Sequence, residues 1–423
     1  MTVSDRWKRR RVDLSDIALP SRNVLLLSAI VGTITGVLVA GFEAVVLDVM
    51  LDPLLDMPLW VGAVAPTLGL VGATAALHWI GRGIPGGTTD EYIKSFHDPL
   101  HRATVRETIA RMVAAISTLG AGGAMGMEGP SIFLGGAVGT QIDDLVPGRF
   151  RGERRTLLVA GAAAGVAAIF KAPATGAVFA LEVPYKNDLA RHALAPALIG
   201  SATGYLAFAG IHGTDPLLPV RGQFGFNGRD IVGAILLGVL AGVGARAFAL
   251  ALRQAKTFST HTSPVHRIAL AGGALVVLFT LTRAVVGESL SIESGFAVMH
   301  WVLEPDRSIP TLLAVLLLRC AATVCVLAGG GVGGIFIPLV VAGALSGGIV
   351  GNAINELDTA LFVVIGIAAF LGAGYRVPLA SVMFVAETTG QASVVVPGLL
   401  AAVAAELVMG PSSVTDLQRP SRV

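Results

Sequence analysis

Two stretches of this chain repeat one another: KAPATGAVFALE (171–182) and RVPLASVMFVAE (376–387). A basic residue, a proline, a phenylalanine and a glutamate hold the same places in both, as Lys171/Arg376, Pro173/Pro378, Phe179/Phe384 and Glu182/Glu387, with a constant offset of 205 (376 − 171). A second frame lies upstream of each. GMEGP (126–130) and GIFIP (334–338) share G-x-x-x-P at an offset of 208 (334 − 126), and Arg111 and Arg319 share that offset. Matches of five residue types in one order exceed what a Gly- and Ala-rich chain produces by chance. The chain is therefore two related halves. Paired halves of roughly 200 residues mark transporter folds, whose substrate site lies between the halves near the bilayer midplane.

Composition sets the medium. Of 423 residues 54% are hydrophobic and 14% charged, and the mean hydropathy is +0.75; an ordinary soluble domain carries roughly 25% charged residues. A soluble core could not hide that much apolar surface, so the chain is an integral membrane protein. Disordered, coiled-coil and nucleic-acid-binding classes are excluded on the same ground. The 53 glycines follow no G-X-Y period, which excludes collagen and suits close helix packing and interrupted helices. Runs without charge recur from Val24–Phe42 to Thr388–Ala405; some reach span length and several are shorter and broken by Gly or Pro. Their pattern is helical, without the period-2 alternation of a membrane barrel. The expected class is an all-α polytopic membrane protein of tilted and broken helices.

The expected organisation is a basic segment, 1–21, a single membrane domain, 22–410, and a short polar tail, 411–423. The halves are placed at about 22–214 and 229–410 from the repeat. Lys8, Arg9, Arg10 and Arg11 precede the first apolar run and predict a cytoplasmic N-terminus. That run is too long for a signal-peptide core. The net charge of +2 says nothing about an acidic partner. Cys320 and Cys325 imply neither a disulfide framework nor a metal site, and His78, His192 and His300 have no ligand spacing. No cofactor is expected beyond a transported ion.

The chemistry concentrates in Gly126-Met127-Glu128-Gly129-Pro130. Proline favours the first turn of a helix, and glycine before it lets the backbone bend. The following helix would aim its free N–H groups and positive dipole end back at this turn, an anion site in low dielectric. Gly334, Ile335 and Phe336 would build a second one in the other half. Two such helix ends hold an anion without the full charge that would trap it. Glu128 is the only charge between Arg111 and Asp143. A carboxylate there is costly unless it occupies the anion site itself or is protonated. Ionised, it competes with the anion; protonated, it lets go and opens the path. The bland alternative is a capping carboxylate on an extramembrane loop.

These residues resemble the CLC family of chloride channels and chloride–proton antiporters. The likeness rests on GMEGP (126–130), GAAAGVAAIFKAP (161–173) running into Glu182, GGIFIP (333–338) and the segment from Gly32 to Glu43. It implies an inverted repeat, a homodimer in the cell membrane with one pore per subunit, anion binding at helix N-termini, and Glu128 as the gate. Arg111 falls where the family often carries a basic residue below the pore.

The departures carry information. Met127 replaces the basic residue of the gate motif. The family's G-S-G-I-P motif, whose serine lines the central site, matches Gly81–Pro85 by letters, but the ungapped register counted from Glu128 places Gly87 at the serine, with Thr88 supplying a nearby hydroxyl. Relatives coupled to protons usually carry a second glutamate just after the Glu182 position; here Val183 stands there. The tyrosine that closes the central site is missing, and Ser412 or Ser413 is the nearest substitute. Glu182 and Glu387 are expected to end helices or satisfy buried donors, and Lys171 and Arg376 to reach toward water. The leading reading is gated chloride permeation. The alternatives are chloride–proton antiport through Glu128, and selectivity for another anion such as fluoride or nitrate. An intramembrane hydrolase finds no H-E-x-x-H or G-x-S-x-G, so no enzyme is expected.

Overall fold

A chain in lipid must satisfy its peptide groups internally, and helices do so. The computed structural model describes residues 22–146, 154–218, 225–304, 307–354 and 359–420; the basic segment expected at 1–21 lies outside the described residues. Among the described residues sixteen helices form, eight in each half. The first half runs α1 (Arg22–Leu55), α2 (Leu59–Ile80), α3 (Thr89–His97), α4 (Val105–Gly120), α5 (Glu128–Leu145), α6 (Arg154–Phe170), α7 (Pro173–Glu182) and α8 (Leu194–His212). The second half repeats it as α9 (Gly228–His261), α10 (Pro264–Val286), α11 (Phe296–Leu303), α12 (Ile309–Ala328), α13 (Phe336–Ala353), α14 (Ala360–Tyr375), α15 (Pro378–Thr389) and α16 (Val395–Met409).

Counterparts agree in length as well as order. α1 and α9 are both 34 residues and α5 and α13 both 18. At 1.5 Å per residue the 34-residue helices are about 51 Å long, so they cross a hydrocarbon layer of about 30 Å at a tilt. Eight helices are long and apolar enough to cross, and the chain is a multi-pass membrane protein. Trp60 and Trp79, 71% and 76% exposed, bracket α2. Their separation along the helix, about 28 Å, matches the apolar layer whose interfaces such rings favour.

Packing repeats too. α5 lies on α6 as α13 lies on α14, and α1 lies on α8 as α9 lies on α16. The pairs α5/α6 and α13/α14 form the buried centre, with α1, α2, α8, α9, α10 and α16 turning apolar side chains outward. The halves meet through α7 on α15 and α2 on α10.

Gly126 and Gly334 are counterparts, and they pair with each other. Gly126 N–H donates to Gly334 O at 2.9 Å and Gly334 N–H to Gly126 O at 2.7 Å, an antiparallel bridge. A residue paired antiparallel with its own counterpart lies on a two-fold axis, and the halves are an inverted repeat about it. The glutamates obey the same symmetry. Glu387 accepts from the N–H groups of Ala174 (2.8 Å) and Thr175 (2.6 Å) at the start of α7, and Glu182 from those of Leu379 (3.3 Å) and Ala380 (2.9 Å) at the start of α15. Each half thus satisfies the free N–H groups of the other's helix start.

Lys171 and Arg376 end α6 and α14 in the left-handed region, at φ 52° and 57°. Lys171 is partly exposed, whereas Arg376 does not follow the expectation of reaching water. Lys171 donates to His212 O, and Arg376 is buried among Glu406 (3.2 Å), Asn187 and the carbonyls of Lys186 and Gly410. Their partners are carbonyls at the end of α8, for Lys171, and after α7 and α16, for Arg376. The tail, described as far as residue 420, also packs inward. Val414 N–H and Ser413 Oγ donate to Gly374 O, and Gln418 Nε2 donates to the carbonyls of Val183 (3.1 Å) and Tyr375 (2.6 Å).

Candidate anion site

The site forms where three helix starts converge. α5 begins at Glu128, directly after the Gly126–Gly334 bridge, and α13 begins at Phe336 beside it. α3 enters from the side: its N-cap Thr88 donates Oγ1 to Gly333 O at 3.3 Å. The approach is close enough to require glycine. A Cβ on Gly129 would lie 2.6 Å from Thr88 Oγ1 and 2.7 Å from Gly334 Cα. Gly87 is different, because its Cβ would meet only Asp90 Cβ, at 3.6 Å.

Glu128 is 2% exposed and turns its carboxylate across the boundary between the halves. Oε1 accepts from Phe336 N–H at 2.7 Å, and the amides of Ile337 and of Glu128 itself face the same group. Oε2 is buried without a hydrogen-bond partner. An acidic side chain thus occupies a ring of backbone donors at the positive end of α13, where an anion would be held by the same groups.

The candidate residues divide by what their backbones do. Gly126 and Gly334 spend their N–H groups on each other. Phe336 N–H serves Glu128, and Ile335 N–H faces the Tyr375 hydroxyl. Met127 is buried as the N-cap residue of α5, and its carbonyl accepts from Ser131. Arg111 is buried below these turns; its Nη2 pairs with Glu91 at 2.9 Å and its guanidinium lies 5.1 Å from the Phe133 ring centre. Its counterpart Arg319 donates to the carbonyls of Leu290, Ile292 and Glu293. Ser412 is partly exposed in the tail, while its neighbour Ser413 is buried against Gly374.

Sequence reasoning puts Tyr375 near the second-half loop as a packing or interface residue and so misses its place in the site. It is buried at the end of α14, and its hydroxyl faces Thr89, the Ile335 amide and the Glu128 carboxylate. The repeat held the signal, since Phe170 is its counterpart (375 − 170 = 205). Both aromatics precede the basic-x-Pro turn and point to the centre. The Phe170 ring lies 4.5 Å from Phe336, and Phe179 lies 5.2 Å from Phe336 and 5.6 Å from Tyr375. These rings floor the site, and Tyr375 is the member with a polar tip.

The chain is similar to known proteins in sequence and in fold. The H+/Cl− exchange transporter ClcA of Citrobacter koseri is 27% identical over 404 residues, covering 91% of this chain and 85% of that protein, and its namesake from Salmonella newport is 26% identical over the same shares. Among solved structures, a slow cyanobacterial Cl−/H+ antiporter superposes with a TM-score of 0.79 at 22% identity, over 92% of this chain and 94% of that one. A CLC-type fluoride/proton antiporter superposes equally, at 0.79 and 22%, over 94% and 98%. Residues 68–410, most of the membrane domain, match the family described as voltage gated chloride channel. With its repeat, its paired glycine turns and its carboxylate on the α13 amides, the chain belongs to that family.

Proposed function

We propose that the chain exchanges chloride for protons across the cell membrane, with Glu128 as the group both ions share. The observation that carries this is the Glu128 carboxylate on Phe336 N–H, in a ring of donors that suits a halide equally well. An ionised carboxylate excludes the anion. A protonated one gives up its hold, so proton and anion move in linked steps. The exchange named for the ClcA proteins favours this alternative over the passive permeation that led the sequence reading. Passive permeation remains the second reading, because the position after Glu182 is Val183, a buried apolar residue. A homodimer with one pathway per subunit is the assembly that the family resemblance implies. Chloride is the proposed ion, and Gly87 in the serine position is the feature that would admit fluoride or nitrate.

The test is a reconstituted chloride gradient with simultaneous recording of chloride and internal pH. Exchange drives protons uphill at a fixed ratio to chloride. Chloride flow without proton movement would select passive permeation, and retained flux with fluoride in place of chloride would change the ion.

A further inference from the structure

An exchanger working through Glu128 needs a second group that takes protons from water, and Val183 supplies none. Among the described residues the buried carboxylates are mostly committed. Glu182 is held by the amides that start α15, and Glu293 sits in a strained turn, φ 65°, with Oε1 on Ala297 N–H. Glu43, within α1, faces His212 at 3.8 Å.

Glu91 differs. It is 6% exposed, on the first turn of α3, three residues after the Thr88 that touches Gly129 and Gly333. That is one helical step of about 4.5 Å from the anion site. Its Oε2 pairs with Arg111 Nη2 at 2.9 Å, and its Oε1 contacts His101 Nε2. The His101 side chain is 26% exposed and so meets water. Arg111 Nε and Nη1 are buried without partners. A cavity with room for about one water, lined by Tyr92, Ser95, Ala103, Phe133, Thr140 and Arg154, adjoins the Phe133 ring that faces Arg111, with neither Glu91 nor His101 in its lining. Both ends of α3 are fastened to α7 and the turn after it, by Tyr92 Oη on Ala180 O at 2.6 Å and His97 Nε2 on Pro184 O at 2.7 Å. Glu91 and His101 therefore open to the membrane face on which Val183 ends α7.

We propose that Glu91 and His101 are the proton-loading pair of the exchange, passing protons from that aqueous face to the site of Glu128. A carboxylate oxygen and an imidazole nitrogen in contact share one proton. The imidazolium gives the Nε2 proton to Glu91 Oε1, and His101 takes its next proton from water. The acid formed at Glu91 yields its proton toward the ion pathway beside Thr88, one turn earlier on the same helix, and the Glu128 carboxylate receives it; no other bond changes. The charged and titratable groups facing this pair are Arg111 on α4, with Glu107 of the same helix facing the guanidinium. Arg111 holds one carboxylate oxygen and leaves the other for the transfer.

The inference rests on the exchange reading, and its test separates the two. The full chain is reconstituted in liposomes under a chloride gradient, with chloride and pH recorded together, for wild type, His101→Gln, Glu91→Gln and the double variant Glu91→Gln/Arg111→Met, which leaves no buried arginine unpaired. His101→Gln is the deciding variant because its side chain reaches the surface, outside the buried Glu91–Arg111 pair. Expected is a fall of about tenfold in the proton-to-chloride ratio for each variant, with Val183→Glu added to His101→Gln restoring part of it. A wild-type ratio in His101→Gln overturns the proposal. So does a parallel loss of both fluxes at an unchanged ratio, which marks a structural role. Wild type that moves chloride but no protons overturns the exchange reading itself.

Discussion

Replacing Glu128 by Gln removes the charge and keeps the shape. In the native chain the carboxylate accepts from Phe336 N–H at 2.7 Å and faces two further amides. Hydrogen bonds to a charged group contribute about 1.5–3 kcal/mol and neutral ones about 0.5–1.5 kcal/mol, so the side chain's hold on the donors weakens by about 1–1.5 kcal/mol. The new NH2 adds to this. It lands in a ring of donors, at the place of an Oε2 that already has no partner, and a buried unpaired donor costs about 1–3 kcal/mol. Both effects drive the side chain out. Since 1.4 kcal/mol is tenfold, chloride should bind about tenfold or more tightly at neutral pH. Calorimetric titration of chloride into detergent-solubilised protein between pH 4 and 9 measures this. Native protein should bind chloride more tightly as the pH falls, because protonation silences the competitor. Glu128→Gln should bind equally at all pH values and move chloride without protons. An unchanged pH slope in the variant, or weaker chloride binding, would refute the competition.

Four further outcomes follow from the geometry. Gly87→Ser should fold as wild type, since its Cβ meets an ordinary contact at 3.6 Å, and should shift anion preference in replacement flux; Gly129→Ala, with 2.6 and 2.7 Å clashes, should lose about 1–3 kcal/mol in thermal denaturation together with most of its flux. Tyr375→Phe removes the hydroxyl facing Ile335 and Thr89; chloride affinity should drop about two- to tenfold, the worth of one neutral hydrogen bond, and an unchanged affinity would remove Tyr375 from the site. Glu387→Gln should destabilise the chain by about 1–2 kcal/mol with little effect on chloride affinity, read as a lower melting point in detergent.

The architecture was largely legible in the sequence, because a repeat is a statement about order. The offsets of 205 and 208 located the halves, the two Gly–Pro turns and the paired glutamates. Glu128 stood out as a lone charge in an apolar stretch. What stayed hidden depends on which groups meet after folding. Gly126 and Gly334 look like anion donors until their N–H groups are found spent on one another. Tyr375 reads as packing because its hydroxyl's neighbours, Thr89 and Ile335, come from remote segments. Arg376 looks water-seeking until Asn187, Glu406 and Gly410 surround it. A polar tail suggests solvent, yet Gln418 bonds the carbonyls of Val183 and Tyr375.

The crossed glutamates impose a timetable on biogenesis. Ala174 and Thr175 wait for Glu387, which leaves the ribosome 212 residues after Thr175 (387 − 175). At synthesis rates of about 5–20 residues per second that delay is roughly 10–40 s. Throughout it, the opening turn of α7 is already in or near the bilayer with its amides unanswered, a situation lipid does not relieve. An insertion chaperone or a neighbouring nascent chain has that interval in which to engage it.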